Sequence, residues 1–191
     1  VAELNRLTVF TGSASGADLA YQRETRRLGA ALAEADVEVV YGGGKVGLMG
    51  QIADSTLEAG GRVTGVIPEV LVSREVAHRG LTELEIVEDM HARKARMAEL
   101  GDAFVTLPGG MGTLEELFEA WTWQYLGLHT KPVALYGTKR FWDPLVEMID
   151  HQVAEGFIAE WRRDALVVAD TPDELISTLR AWTLSDYEPR S

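Results

Sequence analysis

The sequence predicts an α/β doubly wound fold, a parallel β-sheet with helices on both faces, and three observations lead there. β-rich runs alternate with helical ones along the whole chain. Several of those runs (VEVVY, DAFVTL, PVALY, ALVVA) are apolar almost without interruption, as strands buried on both faces are. Segments rich in glycine, hydroxyls and charge follow the strands, at the carboxyl ends where such sheets bind ligands.

Taken in order, the expected strands are Leu7–Thr11, Val37–Tyr41, Arg62–Ile67, Leu84–Val87, Ala103–Leu107, Pro132–Tyr136 and Leu166–Ala169. Each is a short β-rich run bounded by turn formers or by a helical stretch. Between them lie amphipathic segments, such as Asp18–Ala35 and Thr113–Leu126, whose apolar residues recur at helical spacing. The loops after the strands carry TGSASG (11–16), YGGGKVGLMG (41–50), IPEVLVSRE (67–75), EDMHARK (88–94) and LPGGMGT (107–113). They should crowd one edge of a Rossmann-like sheet. No linker, repeat or low-complexity segment interrupts the pattern, so residues 1–182 read as one α/β domain and 183–191 as a loosely held tail.

Composition narrows the function. The chain has 191 residues, enough for a full hydrophobic core. It has no cysteine, which excludes disulfides, thiolate metal sites and cysteine nucleophiles. Its 30 acidic residues against 18 basic ones give a formal charge of -12, which argues against a nucleic-acid-binding surface. No apolar run is long enough to span a membrane. VAELNRLTVF has neither the basic segment nor the apolar stretch of a signal peptide, so the cytoplasm is the expected location.

YGGGKVGLMG contains a G-x-G-x-x-G (Gly42, Gly44, Gly47) after a strand and before a helix. That pattern fits a dinucleotide site, with Glu69 as a possible ribose acid, or close backbone packing around a tight turn. It follows the second strand, whereas the dinucleotide fingerprint follows the first. No P-loop pattern occurs. In TGSASG the third position is Ala14, so no nucleophile elbow is formed. Ser13 and Ser15 there can cap the following helix or touch a substrate. His78, His91, His129 and His151 have no ligand spacing, and no metal is expected.

Two stretches carry more chemistry. In DMHARKARM (89–97), Met90, Lys94 and Met97 share a helical face with Arg93 beside it. Basic residues near a helix start oppose the helix dipole, which makes sense for a phosphate or purine clamp. In LPGGMGTLEELFE (107–119), a glycine-rich loop meets a helix N-terminus and forms an anion cradle. Glu115 and Glu116 follow at once, expected on the first turn. Along the same helix Leu114, Leu117, Phe118, Trp121 and Tyr125 form an apolar stripe suited to core or to a dimer seam.

Together the motifs P-G-G-x-G-T-x-x-E (Pro108 to Glu116), M-x-x-R-K (Met90 to Lys94) and YGGGxxGLMG (41–50) resemble those of the LOG ("lonely guy") family, the cytokinin riboside 5'-monophosphate phosphoribohydrolases. The likeness covers about four-fifths of the chain, and older usage calls such proteins lysine decarboxylase-like. It implies hydrolysis of the N-glycosidic bond of AMP and its N6-substituted relatives, to free base and ribose 5-phosphate, without metal or cofactor. It assigns catalysis to Arg93 and Glu116, and substrate contact to Glu75, Lys94 and the loop Gly109, Gly110, Met111, Gly112, Thr113 and Glu115. Ser13, Gly44 and Met90, from the same edge, complete the candidate substrate-binding set. Family members also imply a homodimer. Thr11 departs from the cysteine that many members carry, and ASGADLAY lacks a common proline.

A carboxylate beside an anion cradle is what N-glycoside cleavage needs, because the sugar becomes positive as the base leaves. Glu116 is expected to face the anomeric carbon, with the phosphate on the glycine loop. Arg93, a fixed cation, is expected to position substrate rather than donate a proton. The rival of a different class is a non-catalytic nucleotide or cofactor carrier on the same fold, which would not need Glu116 and Arg93 together. A lysine decarboxylase would need a Schiff-base lysine, and Lys45, Lys94, Lys131 and Lys139 lack that setting.

Overall fold

A computed structural model describes residues 3–72, 77–138 and 140–187. Its strands are β1 (Arg6–Phe10), β2 (Glu38–Tyr41), β3 (Val63–Pro68), β4 (Glu83–Val87), β5 (Ala103–Thr106), β6 (Val133–Tyr136) and β7 (Val167–Ala169). They form one sheet of order β4-β3-β2-β1-β5-β6-β7, and every pair is parallel. The chain winds outward from β1 to β4, returns to the centre, and winds the other way from β5. β1 and β5 therefore flank a topological switch point, where crevices open at the carboxyl edge.

Because alternate side chains leave opposite faces of a strand, the sheet supports two cores. Val9, Val39, Tyr41 and Val105 meet α1 (Leu19–Glu34), α2 (Gly47–Glu58) and α7 (Pro172–Ala181) through Leu28, Ile52 and Leu175. Phe10, Val40 and Phe104 meet α3 (Met90–Leu100), α4 (Met111–Tyr125) and α5 (Asp143–Ala154) through Met97, Leu117 and Ile149. The short α6 (Glu160–Asp164) follows α5. Thus α3 and α4, which carry the basic stretch and the paired glutamates, lie on the same face.

Local chemistry sets the helix ends that matter for the site. Asp18 caps α1, its side chain accepting from Ala20 N–H at 2.8 Å. The capping role considered for Ser13 and Ser15 thus falls to Asp18. Asp89 caps α3 by accepting from Ala92 N–H at 2.8 Å. That carboxylate offsets the basic residues that follow it near the positive end of the helix. Past α7, Tyr187 stacks on Trp182 with ring centroids 5.8 Å apart.

Candidate active site

At the switch point the loops after β1 and β5 are fastened together. Gly12 N–H and the Thr11 hydroxyl both donate to the Pro108 carbonyl, each at 3.2 Å. A Cβ on Gly12 would come within 3.2 Å of Gly109 Cα, tighter than ordinary contact, so a side chain there would push the two loops apart by a few tenths of an ångström. Above them opens a cleft of about 340 Å³ lined by Val9, Thr11, Gly12, Ser13, Gly42, Met49, Met90, Arg93, Gly110, Met111, Gly112, Thr113, Glu115 and Glu116.

The start of α4 forms one wall. Gly110 is its N-cap and carries no side-chain cap. The helix begins at Met111, two residues before the expected Thr113, which moves Glu115 and Glu116 from the first turn to the second. Thr113 folds back over Gly109, where a Cβ would fall 2.6 Å from Thr113 Cβ. Gly109 is therefore required by packing. Gly110 and Gly112 are not, since a Cβ on either would meet nothing within 4 Å. Their missing side chains leave room in front of the first N–H groups of the helix, the groups that lack intrahelical acceptors.

The start of α2 presents the opposite case. Its Leu48 and Met49 N–H groups both point to the Gly12 carbonyl, at 3.1 and 3.3 Å. Gly47, at φ +58°, brings that helix so close to the first loop that a Cβ would lie 2.6 Å from Ala14 N. The place a dinucleotide pyrophosphate would take is filled by the protein's own carbonyl. The G-x-G-x-x-G of the sequence is thus a packing motif here.

The cations come from α3. Arg93 is 4% exposed and Lys94 9%. Arg93 Nη2 donates to the Gly42 carbonyl at 2.8 Å, and Nη1 lies 3.7 Å from Met90 Sδ. A Cβ on Gly42 would sit 2.9 Å from Arg93 Cζ, so this glycine makes room for the guanidinium. Lys94 Nζ donates to Glu115 Oε1 at 2.5 Å and lies 2.9 Å from Glu119 Oε2. Burial pulls this ammonium's pKa down, but the hydrogen bonds to Glu115 and Glu119 more than offset it, leaving the pKa raised. Consecutive helical residues diverge by about 100°. Glu115 is tied to α3, while its neighbour Glu116 is half-buried in the cleft wall.

Of the residues expected from the sequence, Ser13, Met90, Arg93, Gly110, Met111, Gly112, Thr113, Glu115 and Glu116 line this cleft. Gly109 lies behind the loop under Thr113, and Lys94 lies beneath α4. Gly44 is set back, its carbonyl accepting from the Tyr41 hydroxyl at 3.1 Å and its backbone bridging to Ala77. Glu75 lies outside the described residues. Gly42 and Met49 also line the site; the sequence placed their loop on this edge but did not name either among the substrate-binding residues. The signal was the second glycine-rich stretch itself, read for its turn rather than for the arginine it accommodates.

Among the described residues, no group of three or more histidine or carboxylate side chains is placed to hold a metal ion. His78 is buried and bonded to Asp54, and His129 lies against the Ala120 carbonyl. Among the described residues no lysine lines the cleft: Lys94 is held by carboxylates, and Lys131 donates to the Ala98 and Gly101 carbonyls, both at 2.5 Å. No helix among the described residues is long and apolar enough to cross a membrane.

Residues 49–179 match the family model described as "Possible lysine decarboxylase". The chain is 47% identical to the cytokinin riboside 5'-monophosphate phosphoribohydrolase of Rhodococcoides fascians, over 92% of this chain and 89% of that protein. It is 45% identical to the cytokinin riboside 5'-monophosphate phosphoribohydrolase LOG of Oryza sativa subsp. japonica, over 96% of this chain and 75% of that protein. Among solved structures, the molybdenum cofactor carrier protein of Chlamydomonas reinhardtii superposes with a TM-score of 0.69 at 19% identity, covering 96% of this chain and 99% of that one. At that identity the likeness concerns the fold alone.

Proposed function

The chain belongs to the LOG family of cytokinin riboside 5'-monophosphate phosphoribohydrolases, and from that premise we propose that it hydrolyses the N-glycosidic bond of AMP and N6-substituted AMP. One observation carries the reading: Arg93 of α3 and Glu116 of α4 line the same cleft as the open, uncapped start of α4. A carrier on this fold would need the glycine loops but not that pair.

In this reading the 5'-phosphate sits on the N–H groups of Met111, Gly112 and Thr113, where the helix dipole favours an anion. Arg93 orients the nucleotide, and Glu116 faces C1'. As the C1'–N9 bond breaks, its electron pair leaves with the base and positive charge builds on the sugar. The Glu116 carboxylate stabilises that charge and accepts a proton from the attacking water, whose oxygen bonds to C1'. The base takes up one proton, and ribose 5-phosphate is the second product. Such base assistance contributes ~10²–10⁴ in rate. Met49, Met90 and Met111 give the cleft a soft apolar lining suited to a purine and its N6 substituent.

The reading extends to assembly and location. Phe118, Tyr125 and Phe157 are exposed beside the buried Trp121, around a groove of about 270 Å³ along α4 and α5, and Leu126 and Leu128 are exposed just after α4. A homodimer seam there would remove them from water, and gel filtration with light scattering tests it. An acidic, cysteine-free nucleotide hydrolase is assigned to the cytoplasm.

The deciding experiment incubates the protein with AMP, adenosine and N6-isopentenyl-AMP in excess chelator and separates the products. Free base and ribose 5-phosphate from the monophosphates, with none from the nucleoside, is the expected result. Binding without release would leave a carrier.

A further inference from the structure

The loop that receives Arg93 is itself held from behind. Gly43, at φ +76°, accepts the His78 N–H on its carbonyl at 3.0 Å. Gly44 pairs antiparallel with Ala77 and accepts from the Tyr41 hydroxyl. The His78 side chain is buried at 8% exposure. Its Nδ1 accepts from Gly80 N–H at 3.2 Å, which puts the ring proton on Nε2. Nε2 then donates to Asp54 Oδ1 of α2 at 2.8 Å. An unbroken line runs from α2 through Asp54, His78 and Gly43 to Gly42 and the Arg93 guanidinium. Neither Asp54 nor His78 lines the cleft. Burying an imidazole costs free energy unless its nitrogens are bonded, and here both are.

We propose that His78, oriented by Asp54, is a positioning residue for Arg93. It sets the depth of the Gly42–Gly44 loop and, through the Gly42 carbonyl, the direction of the guanidinium. Arginine has four side-chain torsions, and a carbonyl acceptor in a fixed place is what selects one arrangement. A displacement of about 1 Å at a catalytic group can cost on the order of 10²-fold in rate. A loop of three consecutive glycines has little stiffness of its own, so its shape must come from what it is tied to. The catalytic part of the inference rests on the proposed hydrolase reading, but the positioning does not.

The test compares wild type, His78→Ala, His78→Gln and Asp54→Ala, each alone and with Arg93→Lys. The first readout is the Arg93 Nε–H resonance by NMR, identified by its loss in Arg93→Lys; the second is kcat and KM on AMP. His78→Ala is expected to shift that resonance and speed its solvent exchange, and to lower kcat by about tenfold with a smaller rise in KM. His78→Gln, whose amide can still donate to Asp54, should recover most of both. In the Arg93→Lys background His78→Ala should cost little further, because its effect acts through the arginine. The proposal is overturned if His78→Ala leaves the Arg93 resonance unchanged, or if its kcat loss is as large without Arg93 as with it. Should His78→Ala fail to fold, Asp54→Ala, at a partly exposed carboxylate, decides by the same readouts. Absence of turnover in wild type would defeat the hydrolase reading, while the resonance still decides the positioning.

Discussion

The Arg93 guanidinium rests against Gly42, donating from Nη2 to the Gly42 carbonyl at 2.8 Å in the space a Cβ would take. Gly42→Ala must therefore push the guanidinium away or move the loop. Turnover is expected to fall by roughly a hundredfold, with a stability loss of about 1–3 kcal/mol from overpacking. Steady-state kinetics and a melting curve on the same sample check both. Wild-type turnover in Gly42→Ala would mean that this contact does not set Arg93.

Gly110 and Gly112 separate stability from binding. Space surrounds both α-carbons, and Gly112 lies inside α4. Gly112→Ala should be neutral or stabilising by about 0.5–1 kcal/mol, as Gly→Ala is in a helix. If phosphate sits on that helix start, the same change should weaken AMP binding by about tenfold or more, measured by calorimetry. A stabilised variant with unaltered affinity would remove the phosphate from this loop.

The adjacent glutamates should behave unequally. Glu116→Gln keeps size and hydrogen bonding but removes the charge, so kcat should fall by ~10²–10⁴ with a modest change in affinity. Glu115→Gln loses one arm of the Lys94 link, and its main effect should be on stability, about 1 kcal/mol. Equal kinetic losses from the two would contradict the division of labour.

Arg93→Ala should impair both turnover and nucleotide affinity, because the cation is assigned to orienting the bound substrate. Nucleotide titration by calorimetry checks it. Affinity equal to wild type would reassign Arg93 to the transition state alone.

The pH dependence has a sign. Arg96 of α3 forms a two-pronged bond with Glu85 of β4, at 2.7 and 3.0 Å. That hydrogen bonding, stronger than the opposing effect of burial, holds the Glu85 carboxyl below its ordinary value. A carboxyl depressed in the folded state binds more protons once unfolded, so its contribution is present above about pH 4.3 and lost as pH falls through the folded value. At this partly exposed pair the contribution should be about 0.5–1 kcal/mol. Glu85→Gln should therefore lower the melting temperature at pH 7 and close the gap to wild type by pH 3. A gap that persists in acid would show the charge of Glu85 to be immaterial.

The strands were legible because buried parallel strands are continuous apolar runs, a pattern that needs no knowledge of neighbours. All seven agree with the observed sheet to within one residue at each end. α4 starts two residues earlier than the sequence suggests, at Met111 after the Gly110 N-cap, because glycine is a poor helix former and Gly112 reads as loop. Phe118 and Trp121 belong to one stripe in the sequence, yet Trp121 is buried and Phe118 partly exposed.

By itself the sequence determined the alternating elements, the edge on which the loops gather, and the residue types available there. Those follow from local periodicity and from the sheet topology that periodicity implies. Only the tertiary structure decided what each glycine and each charge is for. Gly42 faces a guanidinium 51 residues away, Gly47 faces the first loop, and Gly112 faces open space, though all three look alike in a glycine-rich motif. Lys94 meets Glu115 across 21 positions. A side chain's partner is set by which elements pack together in space, and spacing along one helix or loop carries no record of that packing.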